Sequence, residues 1–201
     1  MKKIIPAIVL SLASSMALAE TTSDLRIVFG QDEIGTIGTI SSAESLLDVD
    51  DSVETAAMGL ILRTHFDDTW ATEARYTLGG DDTVITSDGS LSSLEIDSTF
   101  FVSGIYKAPQ VKAFTPYAKL GLGLIDMATN NLEFKEYTYV AGLGIDYHAN
   151  DNFVIGIEYE YFGGGSYSNL TQETVDDVLI TTGVAGDIDM SRASINFGIK
   201  F

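Results

Sequence analysis

The sequence predicts an all-β fold, an eight-stranded antiparallel up-and-down transmembrane β-barrel. Three observations carry that expectation. Apolar and polar residues alternate with a period of two in eight separate segments, the signature of strands with two unlike faces. The joins between those segments alternate between short and long. Beyond residue 19 no apolar run is long enough for a membrane-crossing helix, residues 56–62 being about the longest, so any passage through a bilayer must be made by a closed barrel. The 201-residue chain has 19 Gly, only 3 Pro and 10% aromatics, a composition that suits many short strands joined by turns.

Residues 1–19 are set apart from that fold. Met1-Lys2-Lys3 is a basic start, residues 4–13 are mostly apolar, and Ala17 and Ala19 place small residues just before Glu20. This is the layout of a cleaved secretory signal. An anchor helix would need about 20 apolar residues, and Ser14-Ser15 breaks this run. The expected division is a signal peptide over 1–19 and a barrel over 20–201. Removing the signal also removes Lys2 and Lys3, taking the net charge from −18 to −20.

With 11 Lys+Arg against 29 Asp+Glu, the chain lacks the basic face that nucleic acid requires, which excludes that partner. Cysteine is absent, which excludes disulfides, thiolate metal centres and a Cys nucleophile.

The strands follow in order. Residues 24–30 set Leu25, Ile27 and Phe29 opposite Arg26, and 56–66 set Met58, Leu60, Leu62 and Phe66 opposite Gly59 and Arg63. Residues 70–78 set Trp70, Ala74, Tyr76 and Leu78 opposite Glu73, Arg75 and Thr77. In 96–106 the apolar face is Ile96, Phe100, Val102 and Tyr106, against Asp97, Thr99 and Ser103. In 117–124 it is Ala118, Leu120, Leu122 and Leu124, against Lys119, Gly121 and Gly123. In 137–147, Tyr137, Tyr139, Leu143, Ile145 and Tyr147 oppose Thr138, Gly142, Gly144 and Asp146. In 153–161, Phe153, Ile155, Ile157, Tyr159 and Tyr161 oppose Gly156, Glu158 and Glu160. The last strand is the clearest: Ala193, Ile195, Phe197, Ile199 and Phe201 against Arg192, Ser194, Asn196, Gly198 and Lys200.

Short joins fall at 67–69, 107–114 and 149–152, and long ones at 31–53, 79–94, 126–134 and 163–189. Such interleaving describes a barrel with one plain end and one decorated end; in outer-membrane barrels the short turns face the periplasm. If residues 34–40 also pair, the first long loop is shorter. A soluble lipocalin-type barrel would turn its apolar face inward around a ligand. Against it, the polar face carries ionisable residues of both signs: Arg26, Arg63, Glu73, Arg75, Lys119, Asp146, Glu158, Glu160, Arg192 and Lys200. An eight-stranded interior is just filled by side chains, so these charges are expected to pair within the lumen, Glu158 and Glu160 serving as counter-charges for Arg192 and Lys200. Aromatics near strand ends (Trp70, Tyr106, Tyr137, Tyr147, Phe153, Tyr161, Phe201) resemble interfacial girdles.

The stretch 140–161 (VAGLGIDYHANDNFVIGIEYEY) resembles the penultimate hairpin of the OmpA/OmpX/Opa-like outer-membrane β-barrel domains, and SINFGIKF at 194–201 is similar to their closing strand. The resemblance implies a Gram-negative outer-membrane location, contact with outer-membrane lipid and lipopolysaccharide, and a C-terminal signal (Phe197, Ile199, Phe201) recognised by the barrel-insertion machinery. It leaves function open, because one fold hosts many functions.

A lipid A-modifying enzyme would have to work with the two histidines, His65 and His148. Both lie beside short turns, at the end remote from the lipid A leaflet, and Asn150 stands where lipid A deacylases place a serine after their histidine. No catalytic residue is assigned. Gly121-Leu-Gly-Leu and Gly142-Leu-Gly-Ile lack the third glycine and following helix of a nucleotide site. No cofactor is expected, and no metal site, since nothing matches a spaced Ca²⁺ loop.

The predicted loops hold the negative charge: Asp48, Asp50 and Asp51 in the first, Asp81 and Asp82 in the second, and Asp176 and Asp177 in the last, none with a neighbouring Lys or Arg. Gly163-Gly164-Gly165 opens the longest. The expected function is non-enzymatic, either surface interaction and adhesion, with a host surface ligand as partner, or envelope integrity, acting as a monomer. A small passive cation-preferring channel is the alternative, and a lipid A-modifying enzyme a more distant one.

Overall fold

The computed structural model describes residues 21–201 apart from 42–45, 86–90, 130–131 and 176–177. The expected signal peptide, 1–19, lies outside the described residues, as do Asp176 and Asp177. The strands are β1 (Thr22–Ser41), β2 (Leu46–His65), β3 (Trp70–Leu78), β4 (Asp81–Ile85), β5 (Leu91–Lys107), β6 (Phe114–Thr129), β7 (Leu132–His148), β8 (Phe153–Val175) and β9 (Val178–Lys200). They hydrogen-bond in the order β3-β2-β1-β9-β8-β7-β6-β5-β4, all antiparallel, and β3 also pairs with β5. That last pairing closes the sheet on itself.

Because β3 and β4 both pair along β5, they are two pieces of one wall strand, and the barrel has the eight staves read from the alternation. The break falls at Gly79-Gly80. A Cβ on Gly79 would lie 2.4 Å from the Ile96 carbonyl oxygen, so only glycine allows the chain to pass there.

The short joins are built by their side chains. The Asp67 carboxylate accepts from the backbone N–H of Thr69 and of Trp70, both at 2.6 Å. Asn150 Oδ1 likewise accepts from Asn152 N (2.9 Å) and Phe153 N (2.8 Å). Both are Asx turns, in which a short polar side chain satisfies the backbone that the ladder leaves free.

The long joins are corrected. Residues 31–41 and 46–53 are strand, paired up to Ser41↔Leu46, and 163–189 belongs almost wholly to the β8–β9 hairpin, paired to Val175↔Val178. Asp48, Asp50 and Asp51 are therefore ladder residues, opposite Thr39, Ile37 and Thr36, and Asp81 and Asp82 lie in β4 opposite Glu95 and Leu94. The reason is physical. A ladder standing in water needs backbone partners but no apolar face, so it shows neither the alternation nor the turn residues by which strand and loop are told apart in a sequence. At about 3.3 Å per residue, the 23 residues of β8 run roughly 75 Å, whereas a tilted strand needs only about 9–11 residues to cross the hydrocarbon core. The excess stands at the end opposite the short turns.

One face assignment also changes. Ile96, expected outward, is buried inside, and Asp97 is exposed. A β-bulge between Ile96 and Ser98 adds a residue to β5 and reverses the alternation below it.

Elsewhere the faces sort by polarity in the sense a membrane demands. Leu122 is 72% exposed, Leu143 68% and Leu120 67%, while Arg26 is 0% and Arg63 1% exposed. A lipocalin-like interior would show the reverse. At the short-turn end, Trp70 and Tyr106 meet edge-on at 5.3 Å and Phe114 packs near Tyr147 at 5.1 Å; Tyr137, Tyr139 and Tyr161 are exposed toward the other end.

Candidate functional site

The lumen divides into three levels along the barrel. The middle one is ionic. On β1, Arg26 Nε donates to Asp24 Oδ1 at 2.6 Å and its Nη1 reaches Asp146 Oδ1 on β7 at 2.7 Å and Asn196 Oδ1 on β9 at 2.9 Å. Arg63 on β2 holds Glu73 at 2.6 Å, Asp146 at 2.9 Å and Glu158 at 2.9 Å. Arg75 on β3 bridges Glu73, Glu158 and Glu160. The Lys119 ammonium on β6 touches the same three carboxylates at 3.0, 3.1 and 2.7 Å.

Glu73, Glu158 and Glu160 bring carboxylate oxygens within 4.8 Å of one another, an arrangement a metal ion could exploit. Lys119 occupies that role, and with Arg63 and Arg75 supplies the compensating charge that three buried carboxylates need. Nothing in the donor set calls for a metal.

Toward the long-strand end, Arg192 pairs with Asp32 through Nη2 and Oδ2 at 2.9 Å and lies over the Phe162 ring at 5.2 Å. Above it sits an apolar layer of Ile34, Ile96, Phe101, Ile125, Val140, Phe162 and Met190, with Phe101 and Phe162 at 4.8 Å. At the short-turn end a cavity of about 720 Å³ is lined by His65, Lys107, Asp146, His148 and Lys200 among others.

Of the ten residues singled out for the lumen, nine are buried there: Arg26, Arg63, Glu73, Arg75, Lys119, Asp146, Glu158, Glu160 and Arg192. Lys200 is half-buried at the mouth, where Nζ bonds His148 Nδ1 at 3.1 Å. The expected pairing of Glu158 and Glu160 with Arg192 and Lys200 is not what forms. Glu160 and Arg192 are register partners on β8 and β9, yet Arg192 turns to Asp32 on β1, Glu158 reaches the cations of β2, β3 and β6, and Glu160 those of β3 and β6. Adjacent-strand pairing is the only neighbour a sequence displays; contacts across a lumen depend on curvature.

Asp24, Asp32, Tyr117 and Asn196 were missed. The Tyr117 hydroxyl donates to Glu158, and its ring lies under Arg63 at 4.6 Å. Three of the four share strand parity with a residue that was selected: Asp24 with Arg26, Tyr117 with Lys119, Asn196 with Arg192. Asp32 was hidden by being read as loop.

Each histidine has a lysine ammonium against its Nδ1. His65 Nε2 bonds Asp24 at 2.8 Å and its Nδ1 faces Lys107 Nζ at 3.3 Å. His148 Nε2 bonds the Thr115 hydroxyl at 2.9 Å, a base–hydroxyl pair, but its Nδ1 faces the Lys200 ammonium rather than a carboxylate. A general base must become cationic as it takes the proton, and a cation beside it opposes that.

Phe197, Ile199 and Phe201 all face outward and are exposed.

The outer membrane protein β-barrel domain family matches residues 5–201. The outer membrane protein PagN of Salmonella typhimurium is 27% identical over an aligned length of 114, with 50% of this chain and 46% of that protein covered, so the match spans about half the length of each. Among solved structures, OprG of Pseudomonas aeruginosa superposes with a TM-score of 0.59 at 15% identity, covering 91% of this chain and 98% of that one. Ail of Yersinia pestis, solved with the heparin analogue sucrose octasulfate, gives 0.52 at 14% identity, covering 90% and 99%. At these identities the structures share the fold.

Proposed function

The chain belongs to the outer membrane protein β-barrel domain family, and from that premise we propose that it is a non-enzymatic, monomeric surface-interaction protein of the outer membrane. Its staves carry binding elements for a host surface ligand. The observation that carries this reading is the division of charge along the barrel. The cations lie mainly in the lumen and at the short-turn mouth, whereas residues 31–52, 79–93 and 163–189 contain no Lys or Arg. Lys135, nearby on β7, is paired with Asp126. A surface of that sign repels sulfated sugars of the kind seen with Ail and favours a basic partner.

The test is adhesion of a non-adherent Gram-negative host expressing the protein, compared with a version in which residues 165–187 are replaced by a short Gly-Ser turn, surface display being verified for both. Binding that appears with the full chain and vanishes with the trimmed one is the expected result. Equal binding of the two strains, or none by either, removes the reading in favour of envelope integrity. The mouth cavity favours a second reading, a small cation-preferring channel. Steady bilayer conductance supports it, while the filled ionic and apolar layers favour silence.

A further inference from the structure

The ladder between β7 and β8 ends at Tyr139↔Gly163, although β8 continues to Val175 and is paired with β9 from Gly165 to that end. β7 also continues in the same direction, paired with β6 up to Thr129↔Leu132. Among the described residues, then, no strand pairs with the other flank of β8 over 164–175.

The parting has a local cause. The β8–β9 register shifts between Phe162 and Gly165, where three glycines let the strand bend. A Cβ on Gly163 would stand 2.5 Å from the Tyr139 hydroxyl and 2.7 Å from the Tyr161 ring, so a larger residue at the departure point would push those rings aside.

Unpaired strand flanks are templates for another strand, and proteins usually guard them with proline or lysine. Residues 164–175 (GGSYSNLTQETV) contain neither. The only charge on the edge is Glu173, and the remaining charges in 163–189 are Asp176, Asp177, Asp187 and Asp189.

We propose that the free flank of β8 over residues 164–175 is a docking edge for an extended, basic polypeptide segment, which adds to the sheet as a further strand. Backbone hydrogen bonds would supply the affinity and the acidic surroundings the sign preference. The inference rests on the surface-interaction reading and names the chemistry of its partner.

The experiment uses the full barrel in lipid nanodiscs and two labelled peptides of equal charge, one of alternating Lys and Val and one with proline at every third position. The alternating peptide is expected to bind at least tenfold more tightly and to slow amide exchange within 164–175. Glu173→Lys with Asp187→Lys should weaken it at least tenfold. Equal affinity for both peptides, protection elsewhere, or no binding overturns the proposal. The cell assay replaces residues 165–187 whatever the mode of contact. Adhesion that depends on that segment without strand addition therefore removes only this inference. Strand addition without adhesion keeps the edge and removes the host-surface reading.

Discussion

Arg26 and Asp146 are 120 residues apart in the chain, and their side chains meet across the lumen at 2.7 Å. The same carboxylate accepts from Arg63 at 2.9 Å, so one aspartate on β7 ties β1 and β2, neither of which is its neighbour in the sheet. Cross-lumen ties of this kind hold the barrel's cross-section, whereas the ladders hold only adjacent strands.

Asp146→Ala should therefore be costly out of proportion to its size. It takes one carboxylate from each of two buried guanidinium groups, Arg26 keeping Asp24 and Arg63 keeping Glu73 and Glu158, so the loss should stay at or below the about 3–5 kcal/mol that breaking a buried pair outright costs. Asp146→Asn, which keeps acceptor geometry for one of them, should cost less. Denaturant unfolding of the barrel refolded into lipid vesicles measures both, and equal stability of Asp146→Ala and wild type would dismiss the tie.

Leu122→Arg probes the opposite face. Leu122 is among the most exposed apolar residues on the wall, and a lipid-facing arginine near the bilayer midplane costs about 2–4 kcal/mol. The same unfolding measurement should show that loss. A neutral effect would place this face in water.

Asp67 gives a pH signature. The backbone N–H groups of Trp70 and Thr69 donate to its carboxylate and hold its pKa below the ordinary value. A depressed carboxylate stabilises the fold above its unfolded-state pKa and loses that contribution as pH falls through the folded-state value. Asp67→Ala should therefore unfold more readily than wild type at neutral pH, and the gap should close in acid. A gap that widens on acidification would contradict the turn geometry.

Phe201 separates assembly from stability. It is exposed at the rim, while the backbone beside it closes the barrel through Ser23 N to Phe201 O at 3.0 Å and Phe201 N to Ser23 O at 2.8 Å. Phe201→Ser keeps those bonds, so the refolded variant should match wild type in unfolding while less of it reaches the outer membrane in cells. Equal surface levels would argue against a terminal insertion signal.

Within the membrane-spanning part, the alternation in 193–201, 153–161 and 137–147 was legible because each residue there faces either lipid or a crowded lumen, and the two solvents select opposite chemistries. Past residue 34 on β1 and residue 163 on β8 that selection stops, and strand carries no pattern that separates it from loop. The bulge at Asp97 was invisible for a related reason: an inserted residue shifts the faces without changing composition. Asp24, Tyr117 and Asn196 were available from parity alone, since each stands two or four positions from a selected lumen residue.

The chain by itself determined the barrel, its eight staves and nine of the charges turned inward, because period-two patterning is a local property of each strand. Only the tertiary structure decided which charge meets which. Arg192 chose Asp32 over Glu160, and Lys119 came to fill the space among three glutamates from two strands. Those choices follow from closing and tilting the sheet, which brings together side chains from strands that are neighbours neither in sequence nor in the ladder.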